Sequence, residues 1–287
     1  MGITLGLPRL RDFLTEGLRA TFEGVSLYLN RDELLQRTPP GDARPVLVLP
    51  GFGAGDTSTM VLRSFLKDKG FYAHGWKNGC NIGPDDTSLR QMTSRLDDVF
   101  SRYDGQKVTL IGHSLGGVYA RELARAFPDK VDQVITLNSP FGADEHSELS
   151  IRLMLHLFHI AYGGKRDFTG RAPLTDFLTE PLPVPTTAIY SQTDGVVNWR
   201  QCINPVGKNC ENVEALGSHI GMGMNLQSLL VIIDRLNQKS DAWAPFDRQK
   251  YPDAGFPERQ GHESYKMPYK PKRPYGQNSK VFEYKDI

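Results

Sequence analysis

The sequence predicts an α/β fold in which a mostly parallel central sheet has helices on both faces. Short apolar runs of the length of strands alternate with helical segments from about residue 44 to residue 240. Most of these runs are apolar at consecutive positions, as in parallel strands that are buried on both faces. A chain of 287 residues can also bury one large core. We therefore expect a single domain, with some segments that extend beyond its core.

The predicted core elements alternate along the chain. Proline and glycine close several of them, since Pro50-Gly51 follows the first strand and Pro128 ends a helix. The predicted strands are 46–49, 71–73, 108–111, 134–137, 187–190 and 213–216, and the predicted helices are 58–69, 89–100, 115–127 and 225–238.

An amphipathic helix is predicted ahead of this core, over residues 8–29. Its apolar side chains recur on one face, and most of its charged side chains fall opposite. The apolar set is Leu10, Phe13, Leu14, Leu18, Phe22 and Val25. Such a helix can dock on the body of the protein or on a partner subunit, or it can lie on a membrane surface, although its mixed charge disfavours the last.

Residues 142–184 interrupt the alternation and form a predicted helical lid or cap. They carry an apolar helical segment flanked by glycines and prolines, inserted between two core strands. We expect Leu153, Leu157 and Phe158 to line an apolar substrate pocket there. The alternative is a helix that simply packs against the sheet.

The predicted organisation has three parts: an N-terminal helical extension over 1–43, a catalytic domain over 44–240 and a C-terminal extension over 241–287. The last is rich in Pro, Tyr and Lys and lacks periodicity, so we expect it to be surface coil or partly disordered.

Composition excludes several classes of protein. The formal net charge is +1, which gives no global field to attract nucleic acid. The three cysteines have no metal-binding spacing and favour free thiols over a Cys202–Cys210 bridge. No run is long enough to cross a bilayer. We expect a cytoplasmic protein that is either free or attached peripherally to a lipid surface through residues 8–29 or the lid. We expect it to bind no metal, cofactor or nucleic acid. The sequence does not determine its oligomeric state.

The most informative motif is Gly-His-Ser-Leu-Gly-Gly at 112–117, between a predicted strand and a predicted helix. A serine on so sharp a turn needs very small residues two positions before and two after it, and Gly112 and Gly116 supply them. Ser114 is therefore the predicted nucleophile.

A serine nucleophile needs a base, and the base needs an orienting carboxylate. Asp194 follows one predicted strand and His219 follows the next, so both can reach the serine. His113 is expected to be packed beside the site with its side chain pointing away from that of Ser114. The backbone N–H groups of Phe52, in the glycine-rich loop 50–55, and of Leu115 are the predicted oxyanion donors.

These residues resemble those of the α/β-hydrolase superfamily, lipase and esterase branch, and of a group of poorly characterised bacterial hydrolases. The resemblance covers roughly 44–240 and rests on blocks at 50–56, 75–84, 112–117, 137–142, 191–202 and 217–225. The order Ser, Asp, His along the chain is the one that this superfamily uses.

The resemblance implies a serine hydrolase that cleaves small-molecule or lipid esters with an apolar acyl group through an acyl-enzyme. One alternative is an acyltransferase with the same triad. Another is a non-catalytic module that uses the lid helix and residues 8–29 to bind a protein. The acyl length, the alcohol and the choice between ester and thioester remain open.

Overall fold

The structure is a computed structural model that describes residues 10–83, 86–142, 181–205, 207–238 and 242–257. Its centre is a six-stranded sheet whose paired strands are all parallel, in the order β2-β1-β3-β4-β5-β6. The strands are β1 (Pro45–Leu49), β2 (Tyr72–Gly75), β3 (Val108–His113), β4 (Val131–Leu137), β5 (Thr186–Tyr190) and β6 (Cys210–Glu214). The predicted fold class is confirmed.

Helices cover both faces of the sheet, because successive side chains of a strand point to opposite faces. Val46 and Val48 of β1 pack in one core cluster, whereas Leu47 and Leu49 pack in another. The helices are α1 (Leu10–Arg37), α2 (Met60–Asp68), α3 (Asp86–Arg102), α4 (Leu115–Ala126) and α5 (Leu226–Leu236). Side chains of α1, α2 and α5 lie in the first cluster, and those of α3 and α4 lie in the second.

The last strand begins and ends earlier than predicted. It was expected at 213–216, but β6 spans Cys210–Glu214 and pairs with β5 from Thr186 to Tyr190. Its first half is polar, and Glu211 accepts hydrogen bonds from Thr187 Oγ1 (2.8 Å) and Arg235 Nη1 (2.9 Å). A strand whose polar side chains form hydrogen bonds of this kind contains no apolar run, so the apolar pattern of the sequence does not reveal it.

Helix α1 is longer than predicted, and it docks through the face opposite to its apolar one. It runs without a break to Arg37, just before Pro39 and Pro40. Its buried residues are Glu16, Ala20, Leu27 and Leu34. The six side chains of the predicted apolar face are all at least half exposed, namely Leu10, Phe13, Leu14, Leu18, Phe22 and Val25. The helix instead docks on the body through its polar face, where Glu16 and Glu23 bind backbone N–H groups.

Residues 242–257 pack against the body through aromatic side chains. Phe246 is buried and stacks on Tyr251, with ring centroids 5.7 Å apart. Two short 3-10 helices, Arg248–Lys250 and Pro252–Ala254, lie in this segment. Cys80, Cys202 and Cys210, which all lie among the described residues, form no disulfide, as favoured from the sequence.

Candidate active site

Four loops that follow strands meet at the carboxyl edge of the sheet, where ligands of open α/β sheets bind. Ser114 follows β3, Asp194 follows β5 and His219 follows β6, while residues 50–55 follow β1. Since all these strands are parallel, residues far apart in the sequence emerge at the same edge.

Ser114 occupies a strained turn between β3 and α4. Its φ of 52° and ψ of −124° are rare for a non-glycine residue, so the local fold must hold it there. Its N–H donates to the carbonyl of Leu137 at the end of β4 (2.9 Å), and Gly117 N–H donates back to the Ser114 carbonyl (3.0 Å). The backbone thus turns sharply at the position where the sequence predicts a nucleophile.

Glycines around the serine make the turn possible. A Cβ on Gly112 would overlap the backbone of Gly116 and Gly117, and a Cβ on Gly116 would overlap the carbonyl of Leu49. The turn is therefore packed directly against the end of β1 with no room for a side chain. Both glycine predictions agree with this geometry.

Asp194 and His219 form a close pair. The His219 Nδ1 lies 2.7 Å from Asp194 Oδ2, while Asp194 Oδ1 accepts hydrogen bonds from the N–H groups of Val196 (2.7 Å) and Val197 (2.8 Å). Both residues are buried. The carboxylate is thus fixed by the turn that follows it, and its remaining oxygen orients the imidazole.

The protonation of His219 is controlled by opposing effects. Burial lowers the pKa of His219, but the charge of Asp194, its hydrogen bond and the charge of Glu16 outweigh burial and raise the pKa above its ordinary value. An imidazolium is therefore stabilised at this position.

His113 lies against His219 rather than against Ser114. Its Nε2 donates to the backbone carbonyl of His219 (2.8 Å), and the two rings are tilted with centroids 5.1 Å apart. Burial and the neighbouring His219 lower the pKa of His113 to about 4. His113 is therefore neutral and supports the His219 loop, in line with its predicted position.

The loop after β1 passes close to the serine. A Cβ on Gly51 would lie 3.1 Å from Ser114 Cβ. The turn is closed by a hydrogen bond from Ala54 N–H to the Gly51 carbonyl (3.3 Å), with Gly53 at a φ of 72°. Phe52 occupies this turn, and Leu115 begins α4, where backbone N–H groups have no partner within the helix.

Asn81 fixes that loop from a neighbouring segment. Its Nδ2 donates to the Pro50 carbonyl (2.9 Å), its N–H to the Ala54 carbonyl (2.7 Å), and its own carbonyl accepts from Gly53 N–H (2.7 Å). Asn81 belongs to the 75–84 block, to which the sequence analysis assigned no role. The buried Asn81 holds the predicted oxyanion loop in one conformation.

Asn138 is a second buried residue that sequence reasoning missed. It follows β4 with a φ of 46°. Its Oδ1 accepts from Ser191 N–H (3.0 Å), and its Nδ2 donates to the carbonyl of Ser218 (3.3 Å). Asn138 therefore ties the loops that carry Asp194 and His219 to each other. Its position after a strand, within the 137–142 block, was the available signal.

Two carboxylates of α1 reach the same loops, and no motif or spacing in the sequence indicates either of them. Glu16 accepts hydrogen bonds from the backbone N–H groups of Gly195 (2.8 Å), His219 (3.1 Å) and Ile220 (3.2 Å). Glu23 accepts from Ser218 N–H (2.9 Å) and Ser218 Oγ. Burial raises the pKa of Glu23, and its hydrogen bonds only partly offset this.

The sequence profile of the alpha/beta hydrolase family matches residues 26–268, which is most of the chain. The chain belongs to this family. Among solved structures, this alpha/beta hydrolase is similar to Rv0554 of Mycobacterium tuberculosis (14% identity, 71% of this chain and 92% of that one, TM-score 0.52). It is also similar to an esterase of Pyrococcus furiosus (14% identity, 68% and 80%, TM-score 0.50). These likenesses show the fold.

Among curated relatives, this alpha/beta hydrolase is 27% identical over 162 residues to an uncharacterized Mycobacterium tuberculosis protein, Rv2715 (48% of each chain). It is 24% identical over 141 residues to a candidate carbamate hydrolase of Enterobacter cloacae (47% of this chain, 52% of that one). The chain thus spans about half the length of the curated relatives it matches.

The predicted substrate-binding residues lie outside the part of the chain that the structure describes. They are Leu153, Leu157 and Phe158, and most of the predicted lid at 142–184 lies outside it too. Within the ranges described, no group of three or more His, Cys, Asp or Glu side chains could hold a metal ion. No helix there is long and apolar enough to cross a membrane.

Proposed function

We propose that this alpha/beta hydrolase is a serine hydrolase of carboxylic esters with an apolar acyl group. The observation that carries the proposal is the buried pair of His219 and Asp194 (2.7 Å), on loops that share the sheet edge with the strained Ser114. A base oriented by a carboxylate, beside a serine on a strand-to-helix turn, is the arrangement that activates a hydroxyl.

In the proposed reaction, Ser114 Oγ attacks the ester carbonyl carbon while its proton passes to His219 Nε2. The carbonyl oxygen becomes an oxyanion, which the N–H groups of Phe52 and Leu115 stabilise. When the carbonyl re-forms, the bond to the alcohol oxygen breaks and the alcohol leaves with the proton from His219. Water then attacks the acyl-enzyme in the same way, and the acid and free Ser114 are released.

Asp194 keeps its charge throughout this cycle. It holds the His219 proton on Nδ1, so that Nε2 is free to accept the serine proton, and it stabilises the imidazolium that follows. Since the raised pKa of His219 arises from Asp194 and Glu16, the negative charges on this side of the ring favour the proton transfer.

The test is labelling with a fluorophosphonate, which reacts only with an activated serine, followed by turnover of p-nitrophenyl esters of increasing acyl length. We expect the full chain to be labelled and Ser114→Ala to lose both labelling and turnover at an unchanged melting temperature. The matched control is Ser101→Ala, at an exposed serine on α3. An unlabelled wild-type chain that hydrolyses none of the esters would overturn the proposal in favour of a non-catalytic module.

A further inference from the structure

Helix α1 contributes a carboxylate to the loops that carry the predicted acid and base. Glu16 is buried, although it lies on the polar face of an amphipathic helix. Its Oε1 accepts hydrogen bonds from the backbone N–H groups of Gly195 and His219. Gly195 directly follows Asp194, and His219 is the proposed base. Its Oε2 accepts from Ile220 N–H. One side chain therefore satisfies three backbone donors from two loops.

Helix α1 can lie directly against the loop after Asp194 because residue 195 is a glycine. A Cβ on Gly195 would overlap the Asp12 backbone, so the loop after Asp194 lies directly against the helix. Arg19 pairs with Glu16 (2.6 Å) and also donates to Thr193 Oγ1 (3.2 Å), one residue before Asp194. A charged side chain buried with this many hydrogen bonds is held in a single position.

We propose that Glu16 is a positioning residue that sets the geometry and the proton affinity of His219 from α1. This deepens the proposed function, since it assigns a role in the same reaction to a helix outside the predicted catalytic domain. Glu16 fixes the backbone of His219 by accepting its N–H. Its negative charge also favours the imidazolium over the neutral ring.

Several other groups face the imidazole. Asp194 binds Nδ1, and the neutral ring of His113 lies against the other side. Arg19 partly balances Glu16, whereas Glu23 lies about two turns further along α1 and binds Ser218. Of the two α1 carboxylates that reach these loops, Glu16 is the one that hydrogen-bonds to the backbone of His219.

The test compares Glu16→Gln with wild type. The substitution keeps the size but removes the charge, and its NH₂ group must face backbone donors. We expect kcat to fall roughly ten- to a hundredfold, because small displacements of a catalytic group have effects of that size. Activity needs neutral His219, so a lower pKa moves the acid limb of the kcat/KM profile to lower pH. Glu33→Gln, exposed on the same helix and paired with Arg37, is the matched control.

A direct reading of the His219 imidazole by NMR titration separates the two proposals. If Glu16→Gln lowers the pKa of His219 in the folded chain, the positioning role stands even where no ester is turned over. If activity falls while the His219 titration is unchanged from wild type, Glu16 is only structural and the inference is wrong. A wild-type chain that fluorophosphonate does not label and that turns over no ester would instead overturn the proposed function.

The opposite face of α1 carries a second, independent observation. From Phe13 to Leu29 its exposed residues include no charged side chain, and the apolar ones among them are at least half exposed. Leu14, Leu18, Thr21, Val25 and Tyr28 are spaced alternately by four and three residues, which is the seam by which two helices pair. A stripe of this kind marks an interaction surface.

We infer that this face pairs with the same face of a second copy of the chain across a twofold axis. Eight exposed apolar side chains on α1 amount to an area on the order of 800 Å², close to what one partner of a stable interface buries. Helices that lie on membranes carry Lys and Arg on their polar face. The polar face of α1 instead docks on the protein through Glu16 and Glu23, and its Arg19 pairs with Glu16 and Thr193, which favours the second copy over a lipid surface.

Sedimentation velocity of the full chain over a hundredfold concentration range tests this pairing. We expect a dimer, which Leu18→Glu with Val25→Glu converts to a monomer of unchanged melting temperature, because like charges then meet across the axis. Met60→Glu, an exposed apolar position on α2, is the control that remains dimeric.

Thr21→Cys, at the centre of the seam, should cross-link two copies in a Cys80→Ser background, since Cys80 is itself exposed. A wild-type chain that sediments as a monomer at the highest concentration would overturn the pairing. A monomer that also binds phosphatidylcholine vesicles would assign the face to lipid instead.

Discussion

Asp194 divides its two carboxylate oxygens between different tasks. Oδ1 accepts the N–H groups of Val196 and Val197, and Oδ2 faces His219 Nδ1. Burial makes an oxygen without a hydrogen bond costly, so the turn and the imidazole determine the orientation of the carboxylate together. The chemistry of the site therefore depends on which atom Asp194 presents to the ring.

Asp194→Asn tests that dependence. The amide oxygen can keep the two backbone donors, which leaves the NH₂ group facing His219 Nδ1. Nδ1 must then accept, the ring proton moves to Nε2, and the base can no longer take the serine proton. We expect kcat to fall roughly 10³- to 10⁴-fold with little change in KM. Steady-state kinetics on a p-nitrophenyl ester measure this.

The control for that substitution is Asp97→Asn, at a half-exposed carboxylate on α3 that pairs with Lys130, the residue before β4. It should leave kcat unchanged. A near-normal rate in Asp194→Asn would move the orienting acid to another residue.

Among elements, the turn from β3 into α4 could be read from the sequence and the docking of α1 could not. The glycines around Ser114 have a local cause, because neighbouring backbone fills the space of their side chains. The partners of Glu16 lie about two hundred positions away along the chain. Local periodicity predicts a helix and its apolar face, but it cannot reveal that distant backbone donors will bind the polar face.

Gly116→Ala and Gly17→Ala add the same methyl group, but we expect them to change the free energy of unfolding in opposite directions. A Cβ on Gly116 would overlap the carbonyls of Leu49 and Pro50, whereas a Cβ on Gly17, on the exposed face of α1, meets nothing within 4 Å. We expect Gly116→Ala to lower the free energy of unfolding by about 1 to 3 kcal/mol, as overpacking does. Gly17→Ala should raise it by roughly 0.5 to 1 kcal/mol through helix propensity.

Urea denaturation of both variants measures these changes. Activity should fall with Gly116→Ala because the serine turn must shift to relieve the overlap. If Gly116→Ala is as stable as wild type, the turn is not packed against β1 as described.

At the scale of the whole molecule, the loops after parallel strands bring together site residues between 51 and 220, and α1 adds Glu16. The closeness of Asp194 and His219 was predictable because each lies in the loop after a core strand, and the carboxyl ends of parallel strands share an edge. Asn81 and Asn138 were not assigned roles, since an asparagine in a loop is usually a turn residue. Their hydrogen bonds across loops become visible only when the sheet order β1-β3-β4-β5-β6 is known.

The stability of the folded chain should decrease as the pH falls below the ordinary pKa of histidine. Burial lowers the pKa of both His113 and His74 to about 4 in the folded state. Each therefore contributes stability above about pH 6.5 that is lost progressively as the pH falls toward 4, because the unfolded chain binds protons that the folded chain excludes. His219, with its pKa raised, acts in the opposite direction.

The free energy of unfolding, measured by urea denaturation between pH 6.5 and pH 5, tests this balance. We expect it to fall toward pH 5, and His113→Gln to flatten the slope by up to about 1.4 kcal/mol per pH unit. The glutamine can still donate to the His219 carbonyl, so the contact is kept while the titration is removed. His74, whose Nε2 lies 2.8 Å from the Tyr103 hydroxyl, contributes a separate part of the pH dependence of the free energy of unfolding. A slope that is unchanged in His113→Gln would show that His113 does not stay neutral in the folded chain.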